Sequence, residues 1–275
     1  MSRSPSSTVL PHGQPFAPSF NRCNLPPWVI GSEEFQRNPR DIEIEGVRAM
    51  DKRLFLQLAS IVSAEERSQV FHDYLSVKFA LHAWSEHTPS ARTSLRHSYL
   101  HFIRAWGSDS NGHAGAVLKS WVESRFGLRA TYHKGRVWED PQAAEFYLRD
   151  RMKGAAKVMG ASMQLDLLYT FCQDEARLRF PGSRWLTLYR GTHDPEEYAV
   201  RAGSESDSTL VELNNLSSFT SDREVAWEFG SSVWEVKVPL QKLVFFSGLL
   251  PRHLLEGESE FLVLGGIYGV KRLLF

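Results

Sequence analysis

Residues 256–261, EGESEF, set Glu256, Glu258 and Glu260 at alternate positions immediately before the apolar run FLVLGG. In an extended chain successive side chains point to opposite sides, so Glu258 and Glu260 share one side and Ser259 takes the other. Their Cα atoms would lie roughly 6–7 Å apart, at about 3.3 Å of rise per residue. Like charges that close raise the proton affinity of one of the pair. Acidic runs are commonly solvated turns, but the step into FLVLGG draws Glu260 toward the edge of a core. A second candidate is Arg190 in LYRG, at the end of a predicted strand and followed by Gly191. Its guanidinium is a planar fork of donors that matches phosphate geometry, and glycine allows close backbone approach or a positive φ. The third is NLSSFTSDREVAWEFG, where Ser217, Ser218, Thr220 and Ser221 crowd a strand end before a capped helix. Such hydroxyls satisfy local backbone groups; one facing a cleft can also orient a sugar or a carboxylate. Alternation puts Ser217, Phe219 and Ser221 on one side of the strand and Ser218 and Thr220 on the other.

The elements that must position these residues fall into three stretches. Residues 1–40 read as an irregular, Ser/Pro-rich start. Residues 41–182 read as mainly helical. In residues 64–86 the spacing of Val70, Tyr74, Val77, Leu81 and Trp84 predicts one apolar helical stripe. Leu95, Tyr99, Ile103 and Trp106 repeat it up to Gly107, and Leu118, Trp121 and Val122 predict another buried face. Asp140-Pro141 reads as an N-cap followed by proline at the first helical position. A further helix over roughly 161–179 should stop at Phe180-Pro181-Gly182. Residues 183–275 change texture to short runs rich in β-branched and aromatic residues, which predict strands. Asp194-Pro195 and Asp222 open two short helices between them. The expected architecture is α+β, with helices packed on a β-rich core of short mixed strands.

Composition excludes several classes. Basic and acidic residues balance at 32 each, which argues against a nucleic-acid binder. The last 95 residues carry nine basic against thirteen acidic residues, a mild excess that suits a cationic partner. Two cysteines without a CxxC pair make neither a disulfide framework nor a zinc ribbon. The first twenty residues lack the apolar segment of a signal peptide, and no apolar run reaches bilayer length. A cytoplasmic protein with no membrane partner is therefore expected. His97 and His101 are one helical turn apart, but no third ligand accompanies them, so no metal is expected.

Arg190 in Y-R-G, the serine-bearing strand followed by VA..F, and the E-x-E of Glu258-Ser259-Glu260 occur in the order that resembles the Arg–Ser–Glu class of ADP-ribosyltransferases. NRCNLPPWVIGSEEFQRNP and the helical middle resemble the dinitrogenase reductase ADP-ribosyltransferases of nitrogen-fixing bacteria, from about residue 20 onward. That resemblance implies transfer of ADP-ribose from NAD to an arginine of the nitrogenase iron protein, which switches nitrogenase off. It also implies a PII signal protein as regulator. The family pattern has Ser-Thr-Ser where this chain has Ser218-Phe219-Thr220-Ser221, so the ribose serine is Ser218 or, second, Ser221.

The resemblance implies a division of labour. Glu260 would stabilise the positive charge that develops on the ribose as nicotinamide leaves. Glu258 would grip the incoming guanidinium and draw off its proton. Ser218 would position the sugar or Glu260. Arg190 would hold the pyrophosphate, with Gly191, Ser217, Ser221 and Phe219 completing the NAD site. No P-loop or Rossmann glycine fingerprint is present to do so. Two other functions fit the same residues: a glycosidase using Glu258 and Glu260, and a non-catalytic protein-binding module.

Overall fold

The computed structural model describes residues 21–81, 98–155, 158–193, 198–202, 209–251 and 260–273. The first part is helical: α1 (Pro27–Ile30), α2 (Glu33–Arg37), α3 (Val47–Met50), α4 (Lys52–Ser60), α5 (Ala64–Lys78), α6 (Tyr99–Ser108), α7 (His113–Phe126), α8 (Pro141–Ala155) and α9 (Val158–Arg179). Then come β1 (Trp185–Thr192), β2 (Ala199–Ala202), β3 (Thr209–Thr220), α10 (Arg223–Glu228), β4 (Ser232–Pro239), β5 (Leu243–Phe246) and β6 (Glu260–Leu273). This is the expected α+β order. No helix among the described residues is long and apolar enough to cross a membrane.

The sheet differs from the short mixed strands expected. Its order is β2-β3-β1-β4-β6-β5, with β3 also paired to β6, and every pairing is antiparallel. Strands β3, β1, β4 and β6 thus form a closed circuit. The runs EFLVLGG and YGVKRL, split by glycines in the sequence, are joined through Ile267 into one strand of 14 residues. The glycines do not end it; they let other chain segments approach. At Gly265 a side chain would strike the Asn214 carbonyl oxygen, and Gly266, with φ of 118°, lies against the backbone of Gly31. Opposite Gly265, β3 slips register between Leu213 and Leu216, and the bulge joins sheet to helices. Asn215 Nδ2 donates to the carbonyls of Lys119 and Leu128, and Asn214 Oδ1 accepts from Thr131 N–H.

Two other expectations change. The segment read as irregular contains α1 and α2 in its described part, with Pro27 opening one and Ser32 Oγ capping the other through Phe35 N–H. Helices this short give no periodicity to detect. In α5 the buried positions are Arg67, Ser68, Phe71 and Leu75, while Val77 is 71% exposed. The helix is rotated because α9 offers it a charged partner as well as an apolar one. Phe71 stacks on Phe171 at 4.1 Å between ring centres, and Arg67 pairs with the buried Glu175. Trp84 and Leu95 lie outside the described residues, as does Asp194-Pro195. The predicted Leu118, Trp121 and Val122 face is buried, and Asp140 Oδ1 caps α8 through Gln142 N–H.

Candidate active site

Register brings the three sequence motifs to one level of the sheet. Thr220 of β3 pairs with Tyr189 of β1 on one side and with Glu260 of β6 on the other. Glu260 is the first residue of β6 and is fixed at its backbone. Its N–H donates to Ser247 Oγ at 3.0 Å, and its carbonyl accepts from Ser247 N–H at 2.9 Å. Its Oε1 accepts a hydrogen bond from Ser218 Oγ at 2.8 Å. Ser218 is two residues in from the end of β3, on the side that alternation assigns it.

Arg190 reaches the same serine from β1. Its Nη1 donates to the Ser218 carbonyl at 2.7 Å, and its Nη2 to the Tyr198 hydroxyl at 3.0 Å. Its Nε is buried and has no hydrogen-bond partner. Tyr198 is itself braced edge-on against Trp234, the register partner of Arg190. The guanidinium therefore bridges β1 and β3 at the serine.

Other predicted site residues lie elsewhere. Ser217 and Phe219 are on the opposite side of β3, both buried, with Ser217 Oγ donating to the Asn214 carbonyl. Thr220 Oγ1 accepts from Asp222 N–H and shapes the turn into α10, while Ser221 is exposed beyond the strand end. At Gly191 the space for a side chain is filled by the Ala226 carbonyl oxygen at 2.1 Å, so glycine is required for α10 to approach β1. Glu258 and Glu256 lie outside the described residues, as does His97.

The helical part supplies what sequence reasoning missed. Trp106 Nε1 donates to Ser218 Oγ at 2.8 Å. A methyl group placed on Gly107 would lie 3.6 Å from Glu260 Oε2. The end of α6 thus borders the carboxylate. Lys119 Nζ lies over the Trp106 ring, 5.7 Å from its centre. Lys119 is buried, and burial pulls its ammonium down to about 7 against the pull of Asp109. Its Nζ donates to Asn111 Oδ1 and to the Tyr132 carbonyl, and lies 3.5 Å from His133 Nδ1. Burial lowers the His133 pKa below its ordinary value. Neutral His133 can therefore accept at Nδ1 and donate from Nε2 to Asp150 at 3.1 Å. Burial opposes ionisation of Asp150, yet bonds from Lys134 and His133 hold its pKa below the usual value.

Comparison with known proteins places the chain among enzymes that transfer ADP-ribose. It belongs to the family described as dinitrogenase reductase ADP-ribosyltransferase, which matches residues 20–272. It is similar to the NAD(+)-dinitrogen-reductase ADP-D-ribosyltransferase of Rhodospirillum rubrum, with 39% identity over 259 residues, covering 92% of this chain and 94% of the relative. No solved structure matches it.

Proposed function

We propose that the chain transfers ADP-ribose from NAD to an arginine side chain of dinitrogenase reductase, the nitrogenase iron protein, and that this switches nitrogen fixation off. One contact carries the conclusion: Ser218 donates to Glu260 while Arg190 holds the carbonyl of the same serine, in a chain of this family. When bound, NAD supplies a ribose joined to a cationic nicotinamide, a leaving group that departs neutral. Glu260 provides a fixed negative charge beside the cation that develops on the sugar, and preorganised charge of this kind is commonly the largest catalytic effect. Ser218 holds that carboxylate in place. Arg190 is assigned the pyrophosphate because a guanidinium is a planar fork of donors that matches phosphate oxygens. Hydrogen bonds from a charged donor to an anionic oxygen are the strong, short kind.

The acceptor guanidinium is protonated near neutral pH and a poor nucleophile until a proton is withdrawn. Glu258 is assigned that task, two residues from Glu260 and outside the described residues. The same reading makes a PII signal protein its regulator, which rests on the family resemblance, and sets the protein in the cytoplasm, which rests on the sequence features described above. The test is incubation of the chain with labelled NAD and dinitrogenase reductase, followed by mapping of the labelled side chain. ADP-ribose on one arginine is expected. Absence of label, or label on another residue type, would overturn the assignment.

A further inference from the structure

We propose that Trp106 is a positioning residue: it fixes the direction of the Ser218–Glu260 hydrogen bond and so orients the carboxylate for catalysis. This rests on the reading of Glu260 and Ser218 given above. An indole N–H can only donate, and a serine hydroxyl has one proton and two lone pairs. With Trp106 Nε1 donating to Ser218 Oγ at 2.8 Å, one lone pair is occupied. The single proton of Ser218 then goes to Glu260 Oε1, also at 2.8 Å. The remaining lone pair of Ser218 can only accept, so a ribose hydroxyl that meets it must arrive as a donor.

The placement is independently constrained. Trp106 is buried at 4% exposure, so its ring cannot swing away from the serine without opening the core. The adjacent Gly107 brings the α6 backbone close to Glu260 Oε2. One carboxylate oxygen is thus held through the tryptophan relay, and the other faces the end of the same helix. Lys119, itself fixed by three polar neighbours, backs the indole. The helical part of the chain therefore contributes directly to the geometry of the catalytic strand ends.

The test is a double-mutant cycle with Trp106→Phe and Ser218→Ala, read as kcat and KM for NAD hydrolysis, with melting temperatures in parallel. Trp106→Phe should lower kcat about tenfold, the scale of one hydrogen bond to a charged network, with a smaller change in KM. In the Ser218→Ala background the same substitution should have almost no effect on kcat, because the group it acts through is gone. Multiplicative losses in the double variant would overturn the role of Trp106 and leave the catalytic site standing. Full activity in Ser218→Ala would instead overturn the site reading itself. Should Trp106→Phe fail to fold, 3-benzothienylalanine inserted at position 106 keeps the ring shape and replaces only the N–H with sulfur. Unchanged kcat with that isostere would equally overturn the proposal.

Discussion

Two polar clusters border Trp106, and they are built to different rules. On one side Lys119, His133 and Asp150 form a buried chain in which each charged or titratable group has partners. On the other, Glu260 is only half-buried, Arg190 keeps a buried N–H with no partner, and Ser218 has a lone pair to spare. Buried polar groups in folded proteins are almost always satisfied, and an exception calls for an explanation. The closed cluster holds residues 127–140 against α7 and α8. The open one holds the residues to which the proposed function assigns the donor.

The sharpest way to break that contrast is at Glu260. Glu260→Gln keeps the shape and removes the charge, and both transfer and NAD hydrolysis should fall about a thousandfold, the upper range for loss of one preorganised electrostatic group. Substantial hydrolysis in a folded Glu260→Gln protein would show that the open cluster is not the reacting one. Glu258→Gln should separate the two activities, with arginine transfer lost about a hundredfold and NAD hydrolysis largely kept. Equal loss of both would contradict the proposed division between the carboxylates.

Arg190→Lys comes next. A lysine keeps one charge but neither the fork nor the Nε position. NAD affinity measured by calorimetry should drop about tenfold to a hundredfold, and kcat should fall as well because the Ser218 carbonyl loses its anchor. Unchanged affinity would remove Arg190 from the donor site and leave it only as a bridge between strands.

The last prediction belongs to the closed cluster and is read in stability, not in turnover. Lys119 titrates at about 7 instead of 10.5, so between those values the unfolded chain binds more protons than the folded one. Stability attributable to Lys119 must therefore rise with pH across that window. Lys119→Met should flatten the rise, by on the order of a few kcal/mol between pH 7 and 10, as read from chemical denaturation at a series of pH values. Parallel curves for the two proteins would show that the ammonium is not depressed.

Local signals in the sequence were enough for the strand-end chemistry. Alternation alone separates Ser218 from Ser217 and Phe219, and the caps at Asp140 and Asp222 need only their neighbours. Long-range partners were not legible. Trp106 reads as the last member of an apolar stripe, and nothing within its helix reveals a serine 112 positions away. The rotation of α5 was hidden for the same reason, since Arg67 is buried only because Glu175 lies on α9. Gly265 and Gly266 look like punctuation until the Asn214 bulge and the Gly31 backbone are placed against them.

Ser247 and Glu260 are stitched to each other by two backbone-anchored bonds, and the turn after Ser247 is tied down separately. Ser68 Oγ and Arg179 Nη1 donate to the carbonyls of Leu249 and Gly248. Whatever chain runs between these knots begins and ends at a fixed point on the frame. The acid at the start of β6 thus takes its position from the folded frame and not from the segment that leads into it.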